Sequence, residues 1–202
     1  MHRAKLICLA TTIGLAACGG PAATDQARND GTPPGELPAG TASNVVPEVS
    51  PPGATAQLRT AEGAMAGTAR VSQMGDGLEI RLAVENLPSG EHGVHVHGVG
   101  KCDAPTFETA GGHWNPADTR HGLENPQGQH AGDMPNLTVG EDGRGSLTYS
   151  LKGGTLAQLM DSDGAAFVVH ASRDDQKTDP AGDSGARIAC GVFETGPQDM
   201  AR

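Results

Sequence analysis

Aromatic residues are scarce in this chain: three Phe, one Trp and one Tyr among 202 residues. Helix-compatible composition is scarce too, because Gly 30 and Pro 14 together make up about a fifth of the chain. That much turn chemistry excludes an all-helical bundle. Runs of Lys or Arg are missing, and the formal net charge of −10 with a pI near 5.1 has the wrong sign for phosphate recognition. A nucleic-acid binder is thereby excluded. The apolar stretch from Leu6 to Ala17 is too short to span a bilayer as a helix. The length that remains supports one ordinary core with some appended sequence, and not two.

The appended sequence is at the amino terminus. Met1, His2, Arg3, Ala4 and Lys5 form a basic segment ahead of that apolar stretch, the layout of a secretory signal over residues 1–17. Leu15, Ala16, Ala17 and Cys18 resemble the lipobox of bacterial lipoproteins, in which Cys18 becomes the acylated new amino terminus. The alternative is an ordinary secretory signal with an incidental cysteine. Residues 18–54 are rich in Gly, Pro, Ala, Thr and Asp without apolar periodicity, so they are expected to be a lipidated flexible linker. Gly19 is not the Asp associated with inner-membrane retention, which gives an outer-membrane, periplasm-facing expectation in a bacterial envelope. Residues 197–202 are expected to be a disordered tail.

From Ala56 onward the pattern changes to period two. Leu78, Ile80, Leu82 and Val84 alternate with Glu79, Arg81 and Glu85, the signature of a strand with one buried face. Thr68–Gln73 reads as its hairpin partner across Gly75, Asp76 and Gly77. Further strands are expected at Gly93–His97, Leu137–Val139, Gly145–Leu151, Ala166–His170 and Arg187–Phe193, with a helical turn only at Thr155–Met160. Short strands without intervening helices predict an antiparallel sandwich or barrel over about residues 55–196. The stretch from Gly98 to Asn136 has no periodicity and needs something to staple it.

Histidine supplies the staple. Of eight histidines, all but His2 fall between His92 and His170. His95 and His97 project from one face of a strand while Val94 and Val96 enter the core on the other. His113, His121, His130 and Asp133 lie in the aperiodic stretch, and three imidazoles with one carboxylate complete a tetrahedral zinc shell. His170 ends an apolar run and offers a further nitrogen beside His95 and His97; an all-imidazole set suits copper, which can cycle between two oxidation states. Two cysteines remain in the folded part, Cys102 and Cys190, which an oxidising compartment would pair. A closed loop of 88 residues would contribute roughly 4–5 kcal/mol in the chain-entropy picture.

Taken in order, His92-Gly93-Val94-His95-Val96-His97, Cys102, Gly112-His113 with Asn115-Pro116, His121, His130, Gly132-Asp133, Val169-His170, and Gly185, Arg187, Ala189-Cys190-Gly191-Val192 resemble the copper,zinc superoxide dismutases over about residues 56–195. The resemblance implies a Greek-key antiparallel β-sandwich or barrel with long metal-binding and electrostatic loops. It also implies an enzyme that converts superoxide to dioxygen and hydrogen peroxide. By position, copper falls to His95, His97, His113 and His170, and zinc to His113, His121, His130 and Asp133, with His113 bridging. Cys102 and Cys190 match the intrasubunit disulfide, Arg187 the cation that guides the substrate, and His92 a histidine that bonds backbone rather than metal. Asp174 matches a carboxylate joining a copper histidine to a zinc histidine, with the adjacent Asp175 as the alternative. Relatives occur as monomers and as homodimers, so both remain open.

Ten basic and nineteen acidic residues lie between 55 and 195, an anionic body for an anionic substrate, so local potential at Arg187 must outweigh the net charge. Lys177 is a possible minor guide among Asp174, Asp175, Asp179 and Asp183. A non-catalytic copper/zinc-binding lipoprotein would need the same ligands. A zinc hydrolase is disfavoured because no H-E-x-x-H segment is present.

Overall fold

The structure is a computed structural model describing residues 51–196. The expected signal peptide, Cys18, nearly all of the linker and the 197–202 tail lie outside the described residues.

Alternation sets the first strands. In β3 (Gly77–Val84) Leu78, Ile80, Leu82 and Val84 are buried, while Arg81 turns outward and pairs with Glu79 at 2.7 Å. β2 (Met65–Met74) runs antiparallel to it through a two-residue turn, Gly75–Asp76, with Met74 opposite Gly77. Gly75 has φ +59, the left-handed conformation such hairpin turns require and glycine adopts without strain. β1 (Gly53–Thr60) pairs with β2 and begins two residues before the expected domain start at 55. It buries Ala54, Ala56 and Leu58, and alanine alternation is a faint signal, which is why the sequence did not announce it.

The later strands follow the expected positions closely: β5 (Val94–His97), β6 (Leu137–Val139), β7 (Gly145–Leu151), β8 (Ala166–His170) and β9 (Arg187–Glu194). β4 (Gly90–His92) is an addition that pairs with β6. A helical turn, α1 (Leu156–Leu159), is capped by Thr155, whose hydroxyl accepts from the Gln158 backbone while Gln158 reaches back.

The large sheet runs β5-β8-β9-β1-β2-β3-β7, and every neighbouring pair is antiparallel. β4 runs into β5 across Gly93, and Gly140, just after β6, donates to Arg144, just before β7, at 2.8 Å. The small ribbon therefore links the two ends of the curled sheet. Pairings between strands distant in sequence, β5 with β8 and β9 with β1, are the crossovers of a Greek-key arrangement. Inside, Leu58, Val71, Ile80, Val94 and Phe167 are fully buried, each worth roughly 1.5–3 kcal/mol of transfer free energy. An aliphatic core of this kind explains how the domain manages with so few aromatics. Cys102 and Cys190 form a disulfide, Cα to Cα 5.7 Å, tying the start of the long loop to β9.

Candidate metal centre

The 98–136 stretch has backbone order that its sequence hides. Val96 in β5 accepts from Trp114 at 2.8 Å and donates to Gly132 at 3.0 Å, and Gly132 donates to Trp114 at 2.9 Å. Two runs of the loop thus lie against β5 like short strands, which sets His113 beside His97 and Asp133 beside His95. Gly132 is required here, since a Cβ at this position would strike the Val96 carbonyl. Both faces of β5 are consequently buried: Val94 and Val96 in the core, His95 and His97 under the loop.

His170 comes from the end of β8, where pairing with β9 is irregular. Donor atoms of His95, His97, His113 and His170 lie within 4.8 Å of one another. Four ring nitrogens of this group, His95 Nδ1, His97 Nε2, His113 Nε2 and His170 Nε2, are buried without a hydrogen-bond partner. Unpartnered buried nitrogens are costly, and four converging on one point form a cation site. The opposite nitrogens are anchored: His95 Nε2 lies 2.7 Å from Asp174, His97 Nδ1 2.9 Å from the Gly111 carbonyl and His170 Nδ1 3.2 Å from the Gly185 carbonyl. Burial, reinforced by neighbouring imidazoles, lowers His95 to about 3 and His97 well below its ordinary value. Burial likewise lowers His170 to about 4. These rings are neutral at pH 7, the state in which imidazole binds a metal.

The second group is His113, His121, His130 and Asp133. Asp133 Oδ1 lies 2.9 Å from His113 Nδ1, 3.1 Å from His121 Nδ1 and 3.4 Å from His130 Nδ1, and the His113 and His130 nitrogens are 3.4 Å apart. A tetrahedron with zinc–ligand bonds of 2.0–2.1 Å has edges of about 3.3 Å, so the donor set fits that ion. Asp133 Oδ2 accepts from the backbone of Gly122 and of His130, both at 2.9 Å, which turns Oδ1 toward the imidazoles. Burial opposes the charge of Asp133, but the three histidines and the Gly122 N–H outweigh it and hold the carboxyl far below its usual range. His113 is the hinge of the arrangement: Nε2 belongs to the first group and Nδ1 to the second.

Asp174, not Asp175, joins the two groups. It is fully buried, with Oδ2 on His95 Nε2 at 2.7 Å and Oδ1 on His121 Nε2 at 3.1 Å. Burial would lower His121, but hydrogen bonds with Asp133 and Asp174 prevail and raise it to about 9. Asp175 is half-buried, makes no contact with the histidines, and caps the backbone of Lys177 and Thr178 at 2.9 and 2.8 Å. Sequence reasoning missed three supports. Asn136 clamps the Asp174 backbone from both sides at 2.7 and 2.9 Å, and the Gln176 N–H donates to Asp174 Oδ1 at 2.6 Å. Gly182, at φ +63, lies so close to Asp174 that no Cβ fits. His92 bonds backbone as expected, with Nδ1 2.8 Å from the His170 carbonyl.

Arg187 opens β9 beside a cleft of about 400 Å³ that His97, His113, His170, Asp118 and Asp179 also line. Its guanidinium donates to the carbonyls of Phe107 and Gly111, both at 2.6 Å, a rigid two-point mount. Lys177 pairs with Glu124 at the surface, at 2.7 Å.

This fold and site define a class: an antiparallel β-barrel with two adjacent cation sites that share one imidazole. The sequence matches the copper/zinc superoxide dismutase (SODC) family over residues 65–193, and the chain belongs to that family. It is 39% identical over 200 residues to the superoxide dismutase-like protein YojM of Bacillus subtilis, covering 96% of each chain. It is 43% identical over 145 residues to Cu-Zn superoxide dismutase 1 of Aquifex aeolicus, covering 69% of this chain and 86% of that protein. Among solved structures, a SOD-like protein from Bacillus subtilis superposes with a TM-score of 0.62 at 41% identity, over 68% of this chain and 96% of that one. The Cu/Zn superoxide dismutase from Brucella abortus gives 0.58 at 32% identity, over 70% and 99%. The family uses copper and zinc, in keeping with the two donor sets.

Proposed function

We propose that the protein is a superoxide dismutase, turning two superoxide anions and two protons into dioxygen and hydrogen peroxide. The observation that carries this reading is the division of His113 between the two donor sets, Nε2 on one side and Nδ1 on the other.

His95, His97, His113 and His170 would hold copper, and His113, His121, His130 and Asp133 would hold zinc. When bound, copper supplies a one-electron redox couple, and zinc supplies fixed charge without redox change. The chain provides everything else. Arg187, clamped on two carbonyls, attracts and orients the anion at the cleft floor without having to reorganise. His113 is the ring placed to carry a proton, at Nε2, since that nitrogen has no protein partner and Nδ1 is engaged with Asp133. Asp174 keeps the rings of His95 and His121 from rotating.

The reading extends to place and partners. Cys18 carries lipid, and the linker holds the domain off a bacterial envelope membrane, the outer one, facing the periplasm, where it removes superoxide as monomer or homodimer. The signal-like segment and the two domain cysteines support this address. A second reading, a copper/zinc-binding lipoprotein without turnover, draws on the relative named superoxide dismutase-like. The complete imidazole set and the mounted Arg187 favour turnover. Metal analysis of the purified domain with a superoxide-decay assay, before and after copper reconstitution, decides: copper-dependent decay supports the enzyme, and tight copper binding without decay supports the store.

A further inference from the structure

Apart from the shared His113, each histidine of the two donor sets turns one ring nitrogen outward. Four of these outward nitrogens meet an oxygen within hydrogen-bond reach: His95 and His121 on Asp174, His97 on Gly111 and His170 on Gly185. The fifth, His130 Nε2, faces Asp179, whose Oδ1 lies 4.0 Å away. The same Oδ1 accepts the backbone N–H of His121 at 2.8 Å, and Oδ2 lies 3.4 Å from Arg120 Nη1. Asp179 therefore touches the backbone of one zinc-set histidine and confronts the outward ring edge of another.

The carboxylate is held in place by a capped turn. Asp175 fixes the Lys177 and Thr178 N–H groups, and the Thr178 carbonyl accepts from Gly182 at 2.6 Å, so Asp179 is presented by ordered backbone. A metal-bound imidazole becomes more positive at its far N–H, and a carboxylate there orients the ring and raises its basicity as a ligand. His121 has Asp174 in that position. For His130, Asp179 is the carboxylate at hand.

We propose that Asp179 is a positioning residue of the zinc set, acting through its negative charge on the His130 ring edge in addition to its hydrogen bond to His121. This rests on the reading of His113, His121, His130 and Asp133 as the zinc site. Asp179→Asn separates the two actions, because the amide oxygen still accepts the His121 N–H while the charge is gone. The test is zinc affinity of the purified protein, by competition with a chromophoric chelator, together with the ring-nitrogen NMR signals of His130 in the zinc-loaded state. The expected result is about tenfold weaker zinc binding in Asp179→Asn, with the His130 Nε2 signal displaced. Zinc affinity within about twofold of the parent, with that signal unmoved, overturns the proposal. His130→Ala is the control. If it loses zinc while Asp179→Asn does not, only the role of Asp179 falls; if it too binds zinc normally, the zinc reading falls and takes the proposal with it.

Discussion

Arg187 and His97 share one acceptor: the Gly111 carbonyl receives Arg187 Nη2 at 2.6 Å and faces His97 Nδ1 at 2.9 Å. One peptide oxygen thus sets both the Arg187 guanidinium and the orientation of an imidazole in the four-histidine group. The disulfide from Cys102 to Cys190 secures the loop that carries this oxygen to β9, the strand that Arg187 begins.

Replacing Arg187 should therefore cost rate and not metal. Arg187→Glu is expected to lower the second-order rate constant with superoxide by about tenfold or more and to weaken its dependence on ionic strength. Copper content should be unchanged. Arg187→Lys should fall between the two, since an ammonium lacks the fork that holds both carbonyls. An unaltered rate in Arg187→Glu would remove this residue from the mechanism.

Asp118 acts in the opposite direction. It lines the cleft, is exposed and has φ +50, a conformation that Asn adopts as readily as Asp. Asp118→Asn removes a negative charge near the path of an anion without straining the backbone. The rate at low ionic strength should rise about two- to fivefold, and the gain should shrink as salt screens the charge. A slower variant would show that Asp118 contributes something other than repulsion.

Asp174 contacts a histidine from each donor set, so its loss should be felt by both metals. Asp174→Ala is expected to weaken copper and zinc binding by about 10–100-fold each, read from competition titrations. Loss confined to one metal would mean that the carboxylate serves one ring alone.

The metal-free domain should lose stability as pH falls from about 6.5 toward 4. His95, His97, His113 and His170 all have folded-state pKa values below the ordinary 6.5, chiefly through burial. The unfolded chain therefore binds protons in that window while the folded chain does not, and acidification favours unfolding. His121, raised to about 9, behaves oppositely: its contribution is complete below 6.5 and disappears as pH rises through 9. Asp133 and Asp174, held low, add a further loss only below about 3.8. Melting temperature of the metal-free protein against pH checks this, and a flat profile from 7 to 4 would contradict it.

Much of this was legible in the sequence, for physical reasons that differ by element. β3 showed itself because large aliphatics alternate with charge, and β8 because Ala166–Val169 is a continuous apolar run ending at His170. β1 and β4 were hidden, the first by alanines in its buried positions and the second by being three residues long. Histidine clustering pointed to His95, His97 and His170 as one ligand group and to His113, His121, His130 and Asp133 as another, whereas the sharing of His113 between them followed only from the family resemblance. The backbone pairing of the loop with β5 was invisible, because it depends on Gly132 and Trp114 meeting across eighteen positions and not on any local pattern. The choice between Asp174 and Asp175 turned on which carboxylate reaches His95 and His121, which no local pattern shows, and Asn136 gave no sign of its grip on Asp174.

The central claim is that His113 serves both metals at once. Electron paramagnetic resonance of the protein carrying Cu(II) in the four-imidazole set and Co(II) in the zinc set tests it most directly. The account predicts that the copper signal is coupled away in the doubly loaded protein and returns in the zinc-loaded one. An ordinary, uncoupled copper signal with both sites full would contradict it.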